Sequence, residues 1–499
     1  MPKTFLIMKN ISKVYAGVQA LNNVDFVLQS GEIHCLVGEN GSGKSTLIKI
    51  MSGVEKPEKG AEIFIEGKYE NIEHFTSKTS IERGIHVIYQ DISLFPNLSV
   101  AENISFYTNI EGKRKFVRWK EIRKSAKKVM DEIGIHIDLD RIVSTLSIAD
   151  QQLIAICKAL IGKTKLLIMD EPTSSLTRNE VEALFGVIKK LKKRGITILF
   201  VSHKLNEILA VAERVTVLRD GKKIGTFNSK ELDLEKLTYY MTGKKVYYLK
   251  LNTQNVPKQV LLEVKNLSKQ GNFKDINFTL YKGEILGITG LLGSGRTELA
   301  KALFGINPAE EGEIYIEGNK VNIRTTNDAI RHGIGLVPEN RLLEGLVMPH
   351  SVGNNIVITI LEDIKGRINL IETNKKSAII NKYINDLAIK AHSHDSPVMT
   401  LSGGNQQRVV LAKWIATKPK ILILDGPTIG IDVAAKSDIH QIIRFLAFQG
   451  IGIIIISDEL QEVLYNCHRI LIMSKGRIIK ELNPQETSEE ELSRKYNLG

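Results

Sequence analysis

A glycine-rich octapeptide occurs twice in this chain, each time between an apolar strand-like run and a helix-like run. The first copy reads Gly38-Glu39-Asn40-Gly41-Ser42-Gly43-Lys44-Ser45 and is followed by Thr46. The second reads Gly290-Leu291-Leu292-Gly293-Ser294-Gly295-Arg296-Thr297. The first fits G-x-x-x-x-G-K-[ST] at every fixed position, and the second has arginine in place of lysine. The strands expected before them are Glu32–Val37 and Glu284–Thr289. A strand, a glycine loop and a helix N-terminus together make a cradle of backbone N–H groups for phosphate oxygens. There Lys44 neutralises the outer phosphates and the Ser45 hydroxyl is placed for Mg²⁺.

The rest of the sequence repeats with the loops, which sets the architecture. Gly38 and Gly290 are offset by 252, while Leu146 and Leu401, Asp170 and Asp425, and His203 and Asp458 are all offset by 255. A polar stretch with Asn252, Thr253, Gln254, Asn255 and Pro257 separates the halves and reads as a short linker. The expected domains are residues 1–245 and 259–499, joined by residues 246–258. Each half alternates short Val/Ile/Leu strands with amphipathic helices, as in Ile196–Val201 then Leu205–Val211, copied at Ile451–Ile456 then Leu460–Leu464. That alternation predicts an α/β fold with a largely parallel core sheet in each half.

Composition narrows the setting. No apolar run approaches the ~18 residues that read as a membrane-spanning helix, and the start, MPKTFLIMKN, lacks the long apolar region of a secretory signal. Cys35, Cys157 and Cys467 are too dispersed for a metal cluster, which suggests a reduced, cytosolic chain. A net charge of +12 permits a partner with an anionic surface. The basic stretch Lys113–Lys128 contributes to it and reads as a solvated helix face.

Leu401-Ser402-Gly403-Gly404-Asn405-Gln406-Gln407, taken with the two loops, resembles the signature of ATP-binding cassette (ABC) ATPases. The resemblance covers nearly the whole chain. It implies two tandem P-loop NTPase domains, each with a helical subdomain beside its parallel sheet. Asp170-Glu171 after Lys165–Met169 resembles a Walker B strand end, Gln90 the Q-loop, Ser174–Thr177 the D-loop and His203 the switch histidine. Tyr15 is placed like the aromatic that stacks on adenine. The implied roles follow. Ser45, Gln90 and Asp170 serve Mg²⁺, Glu171 polarises the attacking water, and His203 contacts the γ-phosphate of ATP.

The family places ATP between two cassettes, each site taking the Walker elements of one half and the signature and D-loop of the other. Sorted that way, one site joins Lys44, Gln90, Asp170, Glu171 and His203 to Ser402, Gly403, Gly404, Asn405 and Asp432, and only Asn405 departs, from glutamine. The other retains Gly290, Gly295, Thr297 and Asp425, but has Arg296 for lysine, Glu339 near the Q-loop glutamine, Gly426 for the catalytic glutamate and Asp458 for histidine. Its signature, Leu146-Ser147-Ile148-Ala149-Asp150, lacks the glycines, its D-loop ends in Thr177, and the segment before its P-loop offers no partner for Tyr15. One competent site and one degenerate site are expected.

A fused pair with this asymmetry resembles the ATPase subunit of bacterial sugar importers, the branch for ribose, galactose, xylose, arabinose and autoinducer-2. The segments Leu146–Gln152, Pro338-Glu339-Asn340-Arg341 with Glu344-Gly345-Leu346, and Gly430-Ile431-Asp432-Val433 carry that resemblance. Gly426 departs from it, since the family commonly keeps glutamate there. The resemblance implies a peripheral subunit on the cytoplasmic face of the cell membrane, coupling ATP hydrolysis to monosaccharide import, with ribose the leading candidate. It also implies separate membrane-spanning permease subunits and an extracytoplasmic sugar-binding protein, with no nucleic-acid partner. A nucleoside importer ATPase shares the plan. A tandem-cassette translation factor would bring two competent Walker B sites and a long charged linker, and neither is present here.

Overall fold

The computed structural model describes residues 3–15, 17–89, 91, 93–111, 118–173, 176, 178–202, 204–243, 250–251, 258–291, 293–366, 369–488 and 491–492. In the first half, two sheets are built from strands of different character. A four-stranded antiparallel sheet runs Val18–Gln29, Thr4–Tyr15, Glu62–Ile65, Lys68–Glu70. A six-stranded sheet runs Lys222–Asn228, Arg214–Arg219, Ile33–Val37, Thr197–Val201, Leu166–Asp170, Ile85–Ile88 and is parallel except at its Lys222–Asn228 edge. The strands Ile33–Val37 and Thr197–Val201 are buried at every position, which is why they read as mostly apolar runs, broken only by His34 and Thr197. Thr4–Tyr15 instead mixes buried and exposed positions, as a strand with one solvated face does. The strand–helix alternation revealed the parallel sheet and not this antiparallel one.

The second half repeats the plan strand for strand. Its antiparallel sheet runs Phe273–Tyr281, Val260–Lys269, Glu311–Ile316, Asn319–Val321, and its core sheet runs Ile334–Val337, Ile421–Asp425, Gly452–Ile456, Ile285–Thr289, Arg469–Ser474, Arg477–Leu482. The chain divides into two units, Met1–Val246 and Tyr247–Gly499. Lys250 is held on the second unit, where its Nζ donates to Pro484 O at 2.6 Å and Thr487 O at 2.9 Å.

Each unit also has a helical part. In the first it comprises Val100–Glu111, Trp119–Ile133 and Ile148–Leu160; in the second, Val352–Val357, Thr373–Asp386 and Gly403–Ile415. Trp119–Ile133 buries Ile122, Ala126, Val129, Met130 and Ile133 along one stripe, leaving Lys120, Lys124, Lys127 and Lys128 exposed. The described part of the basic stretch is therefore a solvated helix face. No helix among the described residues is long and apolar enough to cross a membrane.

Candidate functional site

Parallel strands release their following loops at one end of the sheet, where α/β proteins bind ligands. In the first unit Ile33–Val37, Thr197–Val201 and Leu166–Asp170 are consecutive neighbours. The glycine loop, the segment leading to His203 and the Asp170-Glu171 pair therefore emerge side by side. Gly43 caps the helix Lys44–Met51 with φ of 99°, and an added Cβ would lie 2.5 Å from Ala20 O. Only glycine lets the loop turn so close to the neighbouring strand. Gly295 repeats this in the second unit, with φ of 95° and Asn272 O at 2.6 Å from such a Cβ.

The two loops hold their cations differently. Lys44 Nζ curls back onto its own loop, donating to Gly38 O at 2.7 Å and Glu39 O at 2.8 Å. Arg296 reaches out of its loop instead. Its Nη1 donates to Ser457 O at 3.1 Å and its Nη2 pairs with the Asp458 carboxylate. The two substitutions read separately in the sequence are thus partners: the arginine that replaces lysine is neutralised by the aspartate that replaces histidine. Inside the loops, Ser42 Oγ and Ser294 Oγ are buried without a hydrogen-bond partner, packed so close to Gly38 and Gly290 that a Cβ there would fall 2.4 Å and 2.8 Å from them.

Asp170 and Glu171 end the next strand. Burial and the adjacent Glu171 carboxylate raise the Asp170 pKa, while Lys44 pulls it down. Glu171 sits in the left-handed region with φ of 50°, its N–H donating to Val201 O at 2.9 Å. For a residue with a side chain that conformation costs roughly 1–2 kcal/mol. Gly426 occupies the same place in the second unit, with φ of 57° and its N–H on Ile456 O at 2.8 Å. Asp425 beside it is pushed up to about 6, chiefly by burial and with Glu339 and Asp458 adding repulsion against Thr297 and Arg296.

Below these strand ends a threonine–glutamate pair recurs that the motifs did not single out. Thr173 Oγ1 donates to Glu207 Oε2 at 2.5 Å, and Thr428 Oγ1 to Glu462 Oε1 at 2.9 Å. Both pairs fix the turn after the Walker B strand. Their equal 255-residue offset was the available signal.

Tyr15 is partly exposed at the end of its strand, with Lys13 Nζ 5.3 Å from the ring centroid. The returning strand, Val18–Gln29, is the one Gly43 packs against, so the ring lies on the hairpin bordering the loop. In the second unit the hairpin closes at Lys269 and Phe273, and Phe273 is buried. No exposed aromatic replaces Tyr15 there. Gln90, His203, Ser174, Ser175 and Thr177 lie outside the described residues.

The two signature segments also differ. Ser402 caps the helix Gly403–Ile415 without a side-chain bond of its own to the backbone. Asn405 is the brace: its Nδ2 donates to Ser402 Oγ at 3.0 Å and its Oδ1 accepts from Lys390 N at 2.8 Å. Asp432 caps the next helix, accepting from Ala435 N at 2.8 Å. In the first unit Ser147 Oγ instead accepts from Asp150 N at 3.1 Å, and the exposed Ile148 stands where Gly403 does.

The family model described as "ABC transporter" matches residues 21–174 and 273–429, one stretch in each unit. The chain belongs to the ABC transporter family. Among curated members it is 43% identical over 491 residues to the "Ribose import ATP-binding protein RbsA" of Clostridium perfringens strain 13, covering 98% of this chain and 97% of that one. It is 42% identical to a "Putative ribose/galactose/methyl galactoside import ATP-binding protein 1" of Agrobacterium fabrum, covering 98% and 96%. It is 40% identical to the ribose import protein of Bacillus licheniformis, covering 97% and 98%. As an ABC protein the chain binds ATP through cassettes of the kind both units carry.

Proposed function

We propose that this chain is the ATP-hydrolysing subunit of an importer for a monosaccharide, ribose first among them, and that its first P-loop serves the competent site. The observation that carries the reading is the contrast between the loops. Lys44 stands with two carboxylates, Asp170 and Glu171, whereas Arg296 is neutralised by Asp458 and its unit has Gly426 in place of the glutamate. The full-length relatives bear sugar-import names, which supports the substrate class.

Two adjacent carboxylates with a nearby serine hydroxyl form a hard-oxygen donor set, and the upward pull on Asp170, from burial first and the Glu171 charge second, is one that a bound cation would offset. These residues fit Mg²⁺, with Ser45 and Asp170 as holders and Gln90 as a further oxygen. When bound, the ion would neutralise charge on the β- and γ-phosphates. The chain's own groups do the rest. Lys44 turns from Gly38 O and Glu39 O toward phosphate oxygens, Tyr15 covers the base, and Glu171 orients the attacking water. His203 contacts the γ-phosphate. Ser402, Gly403, Gly404, Asn405 and Asp432 are assigned to complete this site in trans. Gly290, Gly295, Arg296, Thr297 and Asp425 form a second site that does not turn over.

This reading needs separate permease subunits and a sugar-binding protein beyond the membrane, with the chain peripheral on the cytoplasmic face. The expected result is co-purification of the tagged chain with hydrophobic permease subunits, and release from membranes by alkaline carbonate without detergent. Recovery with ribosomes or nucleic acid alone would contradict it.

A further inference from the structure

Within the second unit, the segment after strand Ile334–Val337 is longer than its counterpart in the first. It folds into a single wide turn, Arg341–Gly345. Both ends of that turn are tied. At one end the buried Lys413 Nζ, on the helix that follows the signature, donates to Gly345 O at 2.5 Å. The first unit keeps this tie, since Lys158 Nζ donates to Ser93 O at 2.8 Å. The other end is tied by a residue whose counterpart in the first unit's sequence is not a cation. Arg341 Nη1 donates to Ile429 O at 2.5 Å and Nη2 to Gly430 O at 3.0 Å, two successive carbonyls of the D-loop. Its Nε is buried without a partner, so the guanidinium is held by those carbonyls.

The same guanidinium lies against the signature. A Cβ built on Gly403 would fall 2.8 Å from Arg341 Nη2 and 3.0 Å from Gly430 O. A side chain at Gly403 would therefore press on the Arg341 guanidinium and the Gly430 carbonyl from within its own unit, quite apart from any phosphate. Gly430, at φ of 67°, turns its carbonyl to the arginine. The first unit has neither partner: its corresponding segment reads Asp91-Ile92-Ser93-Leu94, without a cation, and Ile148 replaces the glycine. Arginine and glycine are present together in one unit and missing together in the other.

We propose that Arg341 is a positioning residue that locks the D-loop and the signature turn of the second unit into one rigid piece, and passes displacement of the Arg341–Gly345 turn to both. The inference rests on the reading that this signature serves the nucleotide held by Lys44. The planar fork suits the task, because two nitrogens at a fixed spacing each take one carbonyl, whereas an ammonium would have to direct both bonds from a single, freely rotating nitrogen. Hydrogen bonds from a charged donor are the strong ones, so their loss should be visible in the rate.

The test uses the purified full-length chain, measuring kcat and KM for ATP, ADP affinity and thermal midpoint. ADP affinity reads the first loop and reports folding. Arg341→Met should lower kcat roughly ten- to a hundredfold, on the scale of one or two charged hydrogen bonds. ADP affinity and the thermal midpoint should stay near wild type. Arg341→Lys should fall between Arg341→Met and wild type. Gly403→Ala should reproduce the loss, and the double variant should be no worse than either single one. An unchanged kcat in Arg341→Met, a parallel loss of ADP affinity, or additive losses in the double variant would overturn the proposal. Lys44→Ala is the separate control: turnover surviving it would remove the functional reading, and this inference with it.

Discussion

Glu171→Gln is expected to reduce ATP turnover by about 10²–10⁴-fold, the usual contribution of a general base. Glutamine matches glutamate in size, so the left-handed backbone at φ of 50° and the N–H bond to Val201 O are asked to change little. What disappears is the charge proposed to orient the attacking water. It is also the charge that crowds Asp170, so ATP affinity should hold or improve. Steady-state phosphate release and equilibrium ATP binding on the same preparation check both halves. A loss below tenfold would mean that Glu171 is not the base.

Gly426→Glu in the Glu171→Gln background is expected to remain inactive, at about 1% of wild type or less if no general base operates. Restoring the carboxylate does not restore the site. Gly426 has φ of 57°, so any side chain there carries roughly 1–2 kcal/mol of strain. The new Cβ would fall 2.4 Å from Ile429 Cδ1 and 3.0 Å from Ile429 Cγ1, forcing that side chain to move. Its carboxylate would join Glu339, whose Cγ lies 3.5 Å from the same Cβ, and Asp425, already pushed up to about 6. Arg296, the group that would offset this charge, is engaged by Asp458. Near wild-type turnover in the double variant would show that Gly426 alone silenced the site.

The loops, the duplication and the family were legible because they rest on residue identity at fixed spacing. The parallel core sheets were legible too, because buried strands leave apolar runs such as Leu166–Met169. The antiparallel sheet was not, since Thr4–Tyr15 is interrupted by the polar positions of its solvated face. The degenerate residues were visible one by one, but their relations were not. Nothing in the sequence joins Arg296 to Asp458 across 162 positions, or Arg341 to the carbonyls of Ile429 and Gly430. Gly426 reads as a simple loss, yet its backbone lies in the region that glutamate occupies at position 171 only under strain. Backbone conformation and carbonyl contacts leave little trace in side-chain identity.

Lys44→Ala and Arg296→Ala, assayed side by side for steady-state ATP turnover, test the asymmetry most directly. Each removes the cation of one loop. Arg296 is buried, but the partner it would abandon, Asp458, has a side chain more than half exposed and keeps its hydration. The account predicts that Lys44→Ala abolishes turnover while Arg296→Ala keeps most of it. Equal losses in the two variants would contradict the assignment of hydrolysis to the first loop.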